Sequence, residues 1–151
     1  MAFLESQGVV FYWSTDTAST TLTTAAGSIV GQVVGLNGPS GSAGKIDVTN
    51  LGSTAKQFLM GLRDEGDVSL DVIYDPADAG QLAMFTDRGA RTKRTWGYLL
   101  TDGSSNLVKG VGFCTGFGIT GAVDDSVKAT ITIAITGAVY VSTGTTIAAV
   151  A

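Results

Sequence analysis

Six carboxylates stand close together with no base between them: Asp64, Glu65, Asp67, Asp71, Asp75 and Asp78. Paired carboxylates hydrolyse glycosidic bonds, and clustered ones bind hard cations. Neither chemistry fits the pattern. Asp67 and Asp71 alternate with apolar residues, as on the polar face of a strand, while Asp75 and Asp78 read as helix-start residues. The run D-P-A-D-A-G lacks the ligand spacing of a calcium loop. Histidine is absent, so the commonest general base is missing and no serine–histidine or cysteine–histidine arrangement can form. A single cysteine, Cys114, excludes an intrachain disulfide and, without histidine, an ordinary structural zinc site. The segment G-V-G-F-C-T-G-F-G-I-T-G at 110–121 is not a phosphate loop, because no Gly-Lys-Ser/Thr follows and no helix opens after it. Arg88, Arg91, Lys93 and Arg94 put four positive charges in seven residues, which could touch phosphate but read better as a solvated helix end. The expectation is a protein that is not an enzyme and uses no metal and no cofactor.

The elements that would carry these residues are mainly strands. Val9, Phe11 and Trp13 alternate with Val10 and Tyr12. Ile29 to Leu36 is a β-branched run broken by Gly31 and Gly35. Val68, Leu70, Val72 and Tyr74 share one face, with Asp67, Ser69 and Asp71 on the other. Val127, Ala129, Ile131, Ile133 and Ile135 alternate with Lys128, Thr130, Thr132 and Thr136. Further strands are expected at about 93–101 and, after a loop from Asp102 through Asn106, onward to about Thr120. Ladders with one apolar and one polar face belong to antiparallel sheets. One helix is expected at about 76–88, capped by Asp75, opened by Pro76, stopped at Gly89, and buried through Ala79, Leu82 and Ala83. A weaker turn of helix is expected over Ala55 to Leu62. Thr15 to Ser28 and Asn37 to Gly44 read as exposed loops.

One strand has an odd face. Gly110, Gly112, Cys114, Gly116 and Gly118 alternate with Lys109, Val111, Phe113, Thr115, Phe117 and Ile119. Glycine weakens a strand, so a bare face implies a close backbone approach, a smooth surface, or strong coiling of a barrel strand.

The chain has 151 residues, enough for one domain spanning 1–151. Only 15% of residues are charged, against the ~25% usual for soluble domains. A weakly charged surface favours self-association. The net charge of −4 argues against attractive DNA binding. No apolar run is long enough to span a membrane, and the N-terminus lacks signal-peptide features. Assembly in the cytoplasm is expected.

Several segments together resemble the major tail tube proteins of siphophages. They are K-I-D-V-T-N-L-G-S-T-A and F-L-M-G-L-R-D-E-G within 38–81, the strand ending Y-D-P, and G-A-V-D-D-S-V within 116–139. The resemblance implies an antiparallel β-sandwich or barrel with a flanking helix. It implies hexameric rings stacked into a tube, related to gene transfer agent tubes, through which DNA passes without specific binding. Implied partners are other copies of the chain and the tape measure, tip and terminator proteins of a virion tail. Two departures stand out: Met60 replaces a proline frequent in relatives, and no C-terminal immunoglobulin-like domain follows. In this frame Leu51, Phe58, Leu59, Met60 and Leu62 are candidate contacts between subunits or rings. Gly110, Gly112, Gly116 and Gly118 are a candidate close-packing face. Asp67 and Asp71 are candidate acids of the channel lining. The alternative is a non-catalytic β-sandwich binding module for carbohydrate or protein, with Tyr12, Trp13, Trp96 and Tyr98 supplying its aromatic groove.

Overall fold

The structure is a computed structural model that describes residues 9–14, 29–100 and 107–142. The Thr15 to Ser28 loop and the loop through Asn106 lie outside these residues. Nine strands and one helix are described: β1 Val10–Trp13, β2 Ile29–Val30, β3 Val33–Asn37, β4 Ser42–Asp47, β5 Phe58–Asp64, β6 Asp67–Ile73, α1 Ala79–Ala90, β7 Arg94–Leu99, β8 Leu107–Thr120 and β9 Lys128–Ser142. Seven strands form one curled antiparallel sheet in the order β2-β1-β7-β8-β9-β6-β3, a half-barrel with α1 against its concave core. The other two, β4 and β5, pair only with each other and form a separate arm.

Strict alternation sets the core. Val68, Leu70 and Val72 of β6 and Ala129, Ile131 and Ile133 of β9 are fully buried in facing register, with Leu70 opposite Ile131. Each of the valine, leucine and isoleucine side chains among them contributes ~1.5–3 kcal/mol when withdrawn from water. Phe11, Trp96 and Tyr98 stack in parallel across β1 and β7, with centroids 6.3–6.4 Å apart.

The helix starts and ends later than expected. Asp78, not Asp75, is the N-cap: its carboxylate accepts from Gln81 N at 3.0 Å and from Gly31 N at 3.1 Å. Asp75 instead accepts from Ala77 N at 3.0 Å, closing a turn that holds Pro76 outside the helix. The cap that also satisfies a backbone N–H of the β2–β3 break prevails. Gln81 completes this join by donating to Gly31 O and Ile73 O, at 3.0 and 3.1 Å. At the other end Arg91, not Gly89, takes the left-handed conformation at φ 58°. The buried face is Gly80, Gln81, Met84 and Asp87, with Ala83 partly covered; Leu82 is exposed. Gly80 is needed here, because a Cβ would run into the Ile29 backbone.

The helical turn expected over Ala55 to Leu62 is absent. Phe58 to Leu62 lie in β5, hydrogen-bonded to β4 from Ser42 onward, so the expected Asn37 to Gly44 loop is shorter at both ends.

Candidate functional site

The arm β4–β5 is a two-stranded ribbon with little packed against it. Such a ribbon is marginal alone. It is braced at its tip, where side chains satisfy the turn backbone. Asp47 accepts from Thr49 N at 2.9 Å, Asn50 from Gly52 N at 2.9 Å, and Ser53 Oγ from Asn50 N at 3.2 Å. Thr49 Oγ1 accepts from Gln57 N at 2.9 Å, closing the base of the turn. The arm nevertheless exposes a run of large apolar side chains. Leu51 and Leu62 are essentially fully exposed, Met60 is 70% exposed, and Phe58 and Leu59 about half, with Ile46 and Val48 added from the opposite side. All five apolar residues singled out in the sequence lie on this arm, with Phe58 and Met60 on one face, Leu59 on the other and Leu51 in the turn. The sequence reading missed Ile46 and Val48, whose signal was alternation with Lys45 and Asp47. A cleft of about 700 Å3 runs along the arm, lined by Phe58, Leu59, Met60, Lys45 and Arg63 among others. The Lys45 ammonium lies 5.5 Å from the Phe58 ring centre.

The glycines of β8 do not share one face. The register shifts between Cys114 and Gly116, so Cys114 faces Ile133 and Phe117 faces Ile131, both toward the core. Gly110 and Gly112 lie on the core side, and their close packing is within the subunit. A Cβ on Gly110 would sit 2.9 Å from the Trp96 ring, and one on Gly112 2.5 Å from the Ala134 carbonyl oxygen. Gly116 and Gly118 fall on the opposite face, and Gly118 has open space around it.

That opposite face also carries Asp67 and Asp71. Across three strands the rows read Asp71–Thr130–Gly118 and Ser69–Thr132–Gly116. Both acids are exposed, and Asp71 accepts from Thr130 Oγ1 at 3.3 Å. The result is a patch of small and polar groups with two carboxylates, bordered by the exposed Phe113 in the Asp67–Ala134 row. Lys128, at its end, pairs with Asp125 at 3.4 Å.

The remaining candidates are absorbed by structure. Asp64 accepts from Gly66 N at 3.0 Å, and Glu65 lies 3.8 Å from Arg63. Arg94 does not belong to a solvated helix end: it turns inward to Asp87 at 3.1 Å, and Asp87 also accepts from Trp13 Nε1 at 2.7 Å. Burial pushes the Cys114 thiol up to about 11, away from reactivity at neutral pH. Tyr12, Trp13, Trp96 and Tyr98 are all buried, so they form no exposed aromatic platform for sugar.

A family model described as phage tail tube, TTP, lambda-like, matches residues 2–111. No curated protein sequence matches the chain. Among solved structures, a chain from the tail of an empty gene transfer agent particle, refined with C6 symmetry, superposes with a TM-score of 0.68 at 15% identity. The match covers 93% of this chain and 99% of that one. The SPP1 tail tube superposes at 0.67 and 12% identity, covering 96% and 82%. A chain of an extracellular contractile injection system sheath–tube complex superposes at 0.70 and 10%, covering 93% and 92%. At these identities the structural likeness is one of fold, and the family rests on the match to most of the sequence. This chain belongs to the lambda-like phage tail tube protein family.

Proposed function

We propose that this chain is the repeating structural subunit of a phage or phage-like tail tube, assembled as stacked hexameric rings around a DNA channel. The observation that carries the reading is the β4–β5 arm, whose large apolar residues stay exposed among the described residues and would be buried by a second copy. Among the described residues β2 and β3 are the edges of the half-barrel, where a neighbouring sheet could extend it. Head-to-tail contacts of this kind close into a ring when the rotation per copy divides a full turn. A tube end also meets tip, terminator and tape measure proteins, and assembly takes place in the host cytoplasm before the tube joins the virion. The role requires no catalysis and no cofactor. Asp67, Asp71, Gly116 and Gly118 line the channel as a smooth, weakly acidic wall that holds no phosphate.

Phe58→Asp tests the arm. Phe58 is half-exposed, so the monomer keeps its melting temperature while ring and tube formation is lost in negative-stain images. Normal tubes from this variant would remove the arm from the interface, and an unfolded monomer would make Phe58 part of the core.

A further inference from the structure

A second apolar surface lies far from any described role. Between α1 and the end of β8, the side chains of Tyr74, Leu82, Phe85, Phe117 and Ile119 line a groove of about 210 Å3, with Asp75 on its rim. Leu82, Phe85 and Ile119 are each about half exposed. Phe117 holds the groove floor, meeting Phe85 edge-on at 5.5 Å and Tyr74 at 6.3 Å. Small-molecule sites usually enclose ~300–1,000 Å3, so this groove suits a single inserted side chain better than a ligand.

The arm tip offers such a side chain. Leu51 is fully exposed, and the hydrogen-bonded turn from Asp47 to Gln57 fixes its direction before any contact is made. A fixed knob loses little conformational freedom on binding. A ring built head-to-tail needs two different patches that complement each other on every copy. The charges agree: the tip carries Lys56, the groove rim carries Asp75, and neither has an ion-pair partner among the described residues. Resting on the tube reading above, we propose that Leu51 of one copy inserts into the α1–β8 groove of a second copy, with Lys56 meeting Asp75.

Disulfide trapping tests this directly. A chain carrying Leu51→Cys and Leu82→Cys is assembled into tubes, with no more than a minor share of wild-type copies added if it assembles poorly, so that mutant copies still adjoin one another, and oxidised. Native Cys114 is buried and does not compete. The expected result is a non-reducing ladder of covalent oligomers from assembled material and none from monomer. A second pair, Leu51→Cys with Ile119→Cys, should give the same ladder. Well-formed tubes with no ladder from either pair would overturn the groove while leaving the tube reading intact. Failure of the wild-type chain to form rings or tubes at all would instead overturn that reading, and the groove with it.

Discussion

Asp87 accepts from the Trp13 indole at 2.7 Å and from Arg94 at 3.1 Å, fastening α1 to β1 and β7. Removing the carboxylate takes its acceptor from a buried indole N–H and one partner from the Arg94 guanidinium. Hydrogen bonds involving charged groups contribute ~1.5–3 kcal/mol each when broken one-sidedly. Asp87→Ala should therefore lower monomer stability by about 2–3 kcal/mol in urea unfolding, with Trp13→Phe costing less. A loss below ~0.5 kcal/mol would show that solvent replaces these bonds. Asp87 was not legible in sequence, because an acid one turn before a helix end normally faces water and opposes the macrodipole. The exposure of the arm's apolar residues was legible, because Phe58 to Leu62 crowd apolar residues where no core pattern places them.

At the scale of the element, β8 makes two opposite expectations. Gly112→Val forces a side chain against the Ala134 carbonyl and Ile133 and should destabilise the monomer by ~1–3 kcal/mol through overpacking. Gly118→Val enters open space and should leave both the melt and tube yield unchanged if that face borders a channel. Lost tubes with an unchanged melt would mean that another subunit's backbone passes over Gly118. The sequence placed these glycines on one face because alternation is counted from the chain alone, and the register shift after Cys114 leaves no trace where the residues are glycines. The strands β6 and β9 were legible because strict alternation over a half-buried sheet admits one register. The helix was legible in kind but displaced by three residues at its start. Asp75 and Asp78 are equal as local caps, and the choice falls to a contact with Gly31, remote in sequence. The arm was misread as helical because both its faces are exposed, which removes the one-sided period that identifies a strand.

For the whole molecule, the proposed channel lining is tested by what the polar face of the half-barrel does to DNA. Duplex DNA carries about one negative charge per 1.7 Å, so each lysine facing it adds an attractive contact that is multiplied over every ring. Carboxylates instead repel weakly, over a screening distance of ~8–10 Å at physiological salt. Asp67→Lys combined with Asp71→Lys should leave tubes intact and slow genome ejection, with the delay shrinking as salt rises. Ejection at the normal rate in low salt from well-formed mutant tails would place both acids outside the channel. All of this depends on assembly, and the most direct measurement is electron microscopy of the purified chain at rising concentration, with and without tail-tip complex as a seed. The account predicts hollow tubes of stacked rings with sixfold end views and a continuous central channel. A chain that stays monomeric at every concentration, seeded or not, would contradict it.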